Sequence, residues 1–196
     1  MKKTIALLSC ILIMFSCNVA EQVLGTLNLT QCKYDFKSIN NLTLSGINMQ
    51  NVSSFSSLNP SSAAKLLSAF SSSTGSLPLE FTLNLNVSNP STQKALFNGL
   101  AYILEVDGKE LTQGFLNQEF QVAGGSSSVL PVHMSFDLKK VLSGESLETI
   151  KNLAFNLAGI GNESTDLTFK LKPNFLIGKQ TVSAPQYIPV NFTLNK

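Results

Sequence analysis

Between Leu77 and Ser88 an apolar side chain is followed by a polar or turn-type one six times in succession: Leu77, Leu79, Phe81, Leu83, Leu85 and Val87 alternate with Pro78, Glu80, Thr82, Asn84, Asn86 and Ser88. A period of two sends the two sets to opposite faces of an extended chain, and no helix can segregate them in this way. The segment therefore predicts a strand with one buried and one wet face, ended by Asn89-Pro90. Leu100 to Val106 is apolar on both faces, as a central strand requires. Asp107-Gly108 follows, a dipeptide suited to a type I′ hairpin because both positions tolerate φ > 0, and a return strand through Leu111 and Phe115 is expected.

The alternation recurs along the chain. Leu130, Val132, Met134, Phe136 and Leu138 face one way, with Pro131, His133, Ser135 and Asp137 opposite; Pro131 cannot donate to a ladder, so this strand is predicted to have a free side. Leu167, Phe169 and Leu171 alternate with Thr168, Lys170 and Lys172, and Ile188, Val190, Phe192 and Leu194 with Pro189, Asn191, Thr193 and Asn195. An opening strand is read over Lys33 to Met49, with a change of phase at Ser38 to Ile39 that predicts a bulge. About seven strands result, enough for a β-sandwich.

Two segments carry a helical period instead. Ala63, Leu66, Leu67 and Phe70 share a face, with Asn59 as N-cap and Pro60 at the first helical position. From Glu145 to Ala158, Leu147, Ile150, Ala154 and Leu157 form a second apolar face, with Ser143 before it and Gly159 to stop it. Glu145 and Glu148 near its start suit the positive end of the helix dipole. Both helices are expected to cover an open end or edge of the sandwich.

The amino end is of another kind. Lys2-Lys3, the eleven-residue apolar run Ile5 to Phe15, and Ser16-Cys17 have the layout of a secretory signal ending at a lipidation site. The run is too short for a membrane span, which needs about 20 apolar residues. Leu7-Leu8-Ser9-Cys10 is a rival site that would leave only Ile5 to Ser9 as apolar core, and an ordinary cut after Ala20 would place Asn18 where a small side chain is wanted. Cleavage is thus expected between Ser16 and Cys17, with acylation of Cys17. Met14-Phe15-Ser16-Cys17 resembles the relaxed cleavage motif of Bacteroidetes lipoprotein precursors, although Phe15 is bulky for the strict form. That resemblance implies a lipid-anchored mature protein whose partner is a membrane, in the cell envelope at the outer membrane. Asn18-Val-Ala-Glu-Gln22 holds a single acid rather than the acidic run of surface-exported relatives, which favours the periplasmic side. The chain then divides into a signal at 1–16, a tether at 17–32 and one folded domain at 33–196.

Composition narrows the function classes. Of the 14 basic residues, all lysine, two leave with residues 1–16, so twelve face twelve acidic ones and the mature chain is formally neutral. With no basic stripe and no arginine, nucleic acid is not an expected partner. Cys10 leaves with the signal and Cys17 is acylated, so Cys32 has no internal partner and reads as a small buried hydrophobe at the start of the first strand. Asn-X-Ser/Thr triplets at Asn28, Asn41, Asn51, Asn86, Asn162 and Asn191 are what an Asn-, Ser- and Thr-rich chain produces by chance.

The candidates for chemistry are few. His133, the only histidine, shares a strand face with Ser135 and Asp137, but residues along one strand do not converge on a pocket, and a lone histidine builds no His-rich metal site. Glu105, Asp107 and Glu110 gather at the hairpin, yet calcium takes six to eight oxygens from a dedicated loop. Gly124-Gly-Ser-Ser-Ser128 lacks the lysine and helix of a phosphate loop and reads as a mobile inter-strand loop. Thirteen Phe with three Tyr and no Trp favour core packing over stacking platforms. No enzyme and no cofactor are expected. The function read from the residues is that of an envelope module with a structural, protective or accessory binding role. The alternatives are a glycan- or lipid-binding lipoprotein that uses residues 51–76 and the Gly124 loop, or an adhesin or fimbrial component.

Asn84-Leu-Asn-Val-Ser-Asn-Pro-Ser91 followed by Leu100-Ala-Tyr-Ile-Leu-Glu-Val-Asp-Gly108 resembles the core signature of the type 2 late-embryogenesis-abundant family, also called the water-stress and hypersensitive-response domain. Val129-Leu-Pro-Val-His-Met-Ser-Phe-Asp-Leu138 resembles the family's Val-Pro-Val strand before a helix, and Ile188-Pro-Val-Asn-Phe192 its last strand. The likeness spans roughly residues 33 to 195 and departs from the family pattern between Asn51 and Ser76. It implies a seven-stranded antiparallel sandwich of the immunoglobulin or fibronectin type III kind and a stress-protective or macromolecule-stabilising role.

Overall fold

A computed structural model describes residues 29–72, 75–144, 147–158, 160–161, 164–177 and 180–194. Cys10, Ser16 and Cys17, with the whole expected signal and most of the tether, lie outside the described residues, as do Glu145 and Gly159 of the second expected helix. In chain order the elements are β1 (Lys33–Leu44), β2 (Ile47–Asn48), a 3₁₀ turn (Phe55–Ser57), α1 (Pro60–Ser71), β3 (Pro78–Ser88), β4 (Ala95–Phe97), β5 (Gly99–Val106) and β6 (Lys109–Leu116). There follow β7 (Phe120–Val122), β8 (Ser127–Asp137), α2 (Leu138–Val141), α3 (Leu147–Leu157), β9 (Thr165–Ile177), β10 (Gln180–Ser183) and β11 (Ile188–Leu194). The protein is mostly β, every strand pairing is antiparallel, and none of the described helices is long and apolar enough to cross a membrane.

One sheet runs β2-β1-β3-β8, a second runs β10-β9-β5-β6 with β11 also on β9, and β4 pairs with β7 in a small third sheet. The expected count of about seven strands is therefore exceeded by four among the described residues. The opening run does not reach Met49 as one strand, because Ser45 and Gly46 adopt φ of 51° and 71° and turn the chain back as β2, with Leu44 opposite Ile47. β4 and β7 are three residues each, and β10 is a short strand on the distal half of β9, whose proximal half pairs with β11.

The alternation of β3 holds on its apolar side. Leu79, Phe81, Leu83, Leu85 and Val87 are all buried, and they meet Leu130, Val132 and Met134 of β8 in one hydrophobic cluster with Leu100 and Leu104 of β5 and Leu167, Phe169 and Leu171 of β9. Both large sheets thus share a single core. Each such side chain contributes roughly 1.5–3 kcal/mol of transfer free energy. The other side of β3 is not uniformly wet: Thr82 and Asn84 are buried. β3 lies between β1 and β8, so flanking side chains cover them, and Asn84 donates to the Ser38 hydroxyl (3.1 Å) while Thr82 bonds His133.

Phe36 of β1 stacks on Phe192 of β11 with centroids 4.2 Å apart, tying one sheet to the other. Tyr102 of β5 stacks on Phe169 of β9 and lies over Gly114 of β6, where a Cβ would stand 2.5 Å from its hydroxyl. Gly114 is a space-maker for that ring. Register shifts in β1 fall between Phe36 and Ser38, beside the expected bulge, and again between Asn40 and Thr43, where Asn41 takes φ 55°. Asp107 and Gly108 have φ of 49° and 77°, as the type I′ reading requires. β8 is an edge strand, so Pro131 lacks no ladder partner.

The strands give the molecule two poles. Lys33, Ser88 and Ser127 are paired neighbours at one end of the first sheet, and Leu44, Leu79 and Phe136 at the other. β3 is 11 residues long, so the poles are roughly 33 Å apart at about 3.3 Å per residue. α1, α2 and α3 gather at the second pole, while a helical turn at 29–31 precedes β1 at the first. α1 begins as its sequence predicts, with the Asn59 side chain accepting from Ser62 N (2.8 Å) and Pro60 in the first turn. Its far end is held from another element, because the Lys139 ammonium donates to the carbonyl oxygens of Ala69 (2.6 Å) and Ser72, a cation placed at the negative end of a helix.

Candidate functional site

His133, Ser135 and Asp137 are spaced along β8 and engaged separately. His133 is exposed, and its Nδ1 lies 3.0 Å from Thr82 Oγ1; the Ser135 hydroxyl donates to Glu80 (3.4 Å). Asp137 has other partners. It caps α2, accepting from Lys139 N (3.0 Å), Leu77 N (3.0 Å) and the Ser76 hydroxyl (2.5 Å). Burial alone would raise its pKa, but the Ser76 hydroxyl and the amides of Leu77, Lys139 and Lys140 together hold the carboxyl below its usual range.

This sets a sign for acid stability. A depressed carboxylate contributes stability above its unfolded-state pKa, about 3.9, and loses that contribution as pH falls through the lower folded-state value. Asp137→Ala is expected to cost about 1–2 kcal/mol at pH 7. Urea titrations at descending pH should show the parent's advantage shrinking below about pH 4; an unchanged gap in strong acid would mean that the charge contributes nothing.

The acidic residues at the hairpin are neighbours, but they form no ligand set. Glu105 pairs with the Lys170 ammonium, and Asp107 Oδ1 accepts from Asp166 N (3.1 Å), while Glu110 stands opposite Glu105 across the ladder. Among the described residues no three His, Cys, Asp or Glu side chains come together as metal ligands would. Cys32 is buried and free, and burial pushes its thiol up to about 11. It precedes β1 rather than starting it.

The Gly124 loop departs from expectation in another way, since it is tied down. Asn89, the residue read only as a strand terminator, is 2% exposed. Its amide nitrogen donates to the carbonyls of Gln93 (2.8 Å), Val122 (3.2 Å) and Ala123 (3.3 Å), its Oδ1 accepts from Ser91 N (3.0 Å), and its own backbone N–H donates to Ser126 O (2.9 Å). Gly125 N adds a bond to Ser91 O (2.8 Å). One side chain thus clamps two loops at the pole where β1 begins. The described residues of 51–76 lie at the opposite pole, so they and the Gly124 loop do not line one site.

What residues 51–76 do build is an apolar groove of about 810 Å³ with α3. Phe55 and Phe70 both contact the Phe155 ring, at centroid distances of 5.7 and 5.6 Å, and Ile160 extends the apolar lining. Leu67, expected on the buried face of α1, is 54% exposed and lines this groove, whereas Leu66 and Phe70 are the residues α1 buries. Glu148 and Lys151 also line it. Phe55 and Phe155 carry no mark in the sequence. They are 100 positions apart, and the only local signal is an aromatic residue inside a Ser-rich run.

The profile of the late embryogenesis abundant proteins (LEA_2) matches residues 84–185, which include the Asn89 clamp, the hairpin and α3. Comparison with curated proteins finds no match. Solved structures are similar too, three of them as follows. One is the crystal structure of a protein from Archaeoglobus fulgidus (16% identity, 82% of this chain and 98% of that one, TM-score 0.37). Another is a solution structure from Arabidopsis thaliana (11% identity, 82% and 74%, TM-score 0.37). The third is a solution structure of a protein assigned to the late embryogenesis abundant (LEA) proteins (12% identity, 97% and 86%, TM-score 0.37). The profile covers more than half of the sequence, and on that match the chain belongs to the late embryogenesis abundant family, carrying its stress-related LEA_2 domain.

Proposed function

We propose that this protein is a lipid-anchored, non-enzymatic module of the cell envelope, a sandwich of the immunoglobulin or fibronectin type III kind with added strands, acting through its exterior in a structural, stress-protective or accessory protein-binding role. One observation carries the reading: His133, Ser135, Asp137 and Glu105 are each engaged by a different partner, while the broad concavity at the helical pole is apolar. General acid–base or nucleophilic work needs converging groups, and members of the family are generally not enzymes. The signal-like residues 1–17 supply the anchor, since two or more acyl chains hold a protein stably where one binds only marginally. The periplasmic side of the outer membrane follows from the sparse acids after Cys17.

The test is expression of the full precursor in a host that acylates lipoproteins. The mature protein is expected in the detergent phase of a phase separation, with an intact mass that includes a diacylglyceryl group at Cys17, and Cys17→Ala should move it to the aqueous phase. A mature start at Glu21 without lipid overturns the anchor, and hydrolysis of ester or glycoside substrates that is lost in His133→Ala overturns the non-enzymatic part.

A second reading, capture of a small hydroxylated ligand such as a glycan, is favoured by a separate pocket of about 280 Å³ between α3 and the β5–β6 hairpin. There Asp107, Glu110, Asn152 and Asn156 stand over Val106 and Leu111. A ligand at 100 times its dissociation constant stabilises by about 2.7 kcal/mol, so a thermal-shift screen across glycans decides it.

A further inference from the structure

The groove at the helical pole carries both halves of a contact. Phe55, Phe70 and Phe155 make a receptive apolar cleft, and Leu67 stands beside it with more than half of its surface in solvent. A single exposed leucine needs no explanation; one that lines a cleft of this size enlarges a continuous apolar surface. The rim is matched in the same sense, because Glu148 and Lys151, three residues apart on α3, put one charge of each sign beside the cleft. Two of the hydroxyls that line it are engaged with each other, Ser54 Oγ lying 3.0 Å from Ser56 Oγ, while Ser71 and Asn152 complete the polar part of the lining. An anionic or cationic ligand would meet one favourable and one unfavourable rim charge.

A surface that holds a knob, a hole and both signs of charge is complementary to its own copy across a twofold axis, the relation found in most closed dimers. We propose that the pole formed by the Phe55–Ser57 turn, α1 and α3 is a homodimer interface, in which Leu67 of each copy seats in the other's groove and Glu148 of each faces Lys151 of the other. The proposal rests on the reading that this protein acts through its exterior and makes the first partner a second copy of the chain. It does not depend on acylation, so its test uses the Cys17→Ala full chain and its failure is separable from failure of the anchor.

Sedimentation velocity over a wide concentration range should give twice the protomer mass, reverting to the protomer on dilution. Leu67→Glu should remove the dimer. Glu148→Lys and Lys151→Glu should each weaken it by about a hundredfold, because the twofold axis makes two like-charge contacts of each substitution, and the combined swap should restore it. Glu148 and Lys151 are also i,i+3 neighbours on α3, so an unchanged thermal transition in each single variant is what separates pairing between copies from folding. Protomer mass at every concentration overturns the proposal, as does a dimer that survives Leu67→Glu or a swap that fails to rescue.

Discussion

Gly124→Ala is expected to lower the unfolding free energy by about 3 kcal/mol, at the upper end of what overpacking usually costs. A Cβ on Gly124 would stand 2.2 Å from the Thr92 carbonyl oxygen, 2.4 Å from its carbon and 2.9 Å from Gln93 N. All three are backbone atoms, so no rotamer change relieves the clash. Nor can the opposing segment withdraw easily, because Gln93 O accepts from Asn89 and Gln93 N donates to the Ser91 hydroxyl (3.1 Å). Gly125 next to it is the contrast. Its φ is 65° and a Cβ there would meet nothing within 4 Å, so Gly125→Ala incurs only the left-handed backbone cost of about 1–2 kcal/mol. Urea unfolding should show the midpoint of Gly124→Ala falling well below that of Gly125→Ala, with the denaturant slope unchanged. Equal midpoints would mean that the two loops part freely.

Asn89→Ala is expected to be as damaging, again about 3 kcal/mol, since each buried polar group left without its partner costs about 1–3 kcal/mol. The truncation strands three carbonyls and the Ser91 amide at once. Some regain water at the loop surface, which keeps the total below the sum. For a domain of this size the transition temperature should fall by about 6–12 °C, at roughly 2–4 °C per kcal/mol. Asn89→Asp is the informative partner: it is nearly isosteric, but it replaces the three-way donor with a carboxylate facing three carbonyl oxygens, and it should be no better than alanine at neutral pH. A drop of less than about 1 kcal/mol for Asn89→Ala, the low end of that range, would show that the loops hold without the clamp. Combining Asn89→Ala with Gly124→Ala should cost less than the two together, because both release the same pair of loops.

Where backbone pattern and local chemistry coincide, the sequence is a faithful guide. The alternation of β3, the Asn59-Pro60 start of α1, the positive-φ Asp107-Gly108 turn and the edge position forced by Pro131 are all readable, because each is set by residues within one turn or one strand. Three kinds of feature are not. Strands of three residues, β4 and β7, are too short to display a period. Burial of Thr82 and Asn84 comes from the position of β3 inside its sheet, which its own polarity cannot reveal. Leu67 fits the helical stripe by spacing, yet α1 buries the Leu66 and Phe70 arc and leaves Leu67 beside the groove. The groove itself is the hardest case: Phe55 and Phe155 meet only because the segment before α1 folds over α3, and no local pattern encodes that meeting. Asn89 illustrates a subtler loss, since a strand-ending Asn-Pro pair announces the turn but not the four partners of its side chain.

β1 starts beside Ser88, a strand length away from α1 and α3. A grip applied at Lys33, by a fusion partner or a sensor chip, therefore holds the molecule by its handle and leaves the helical tip free to meet whatever lies across the gap.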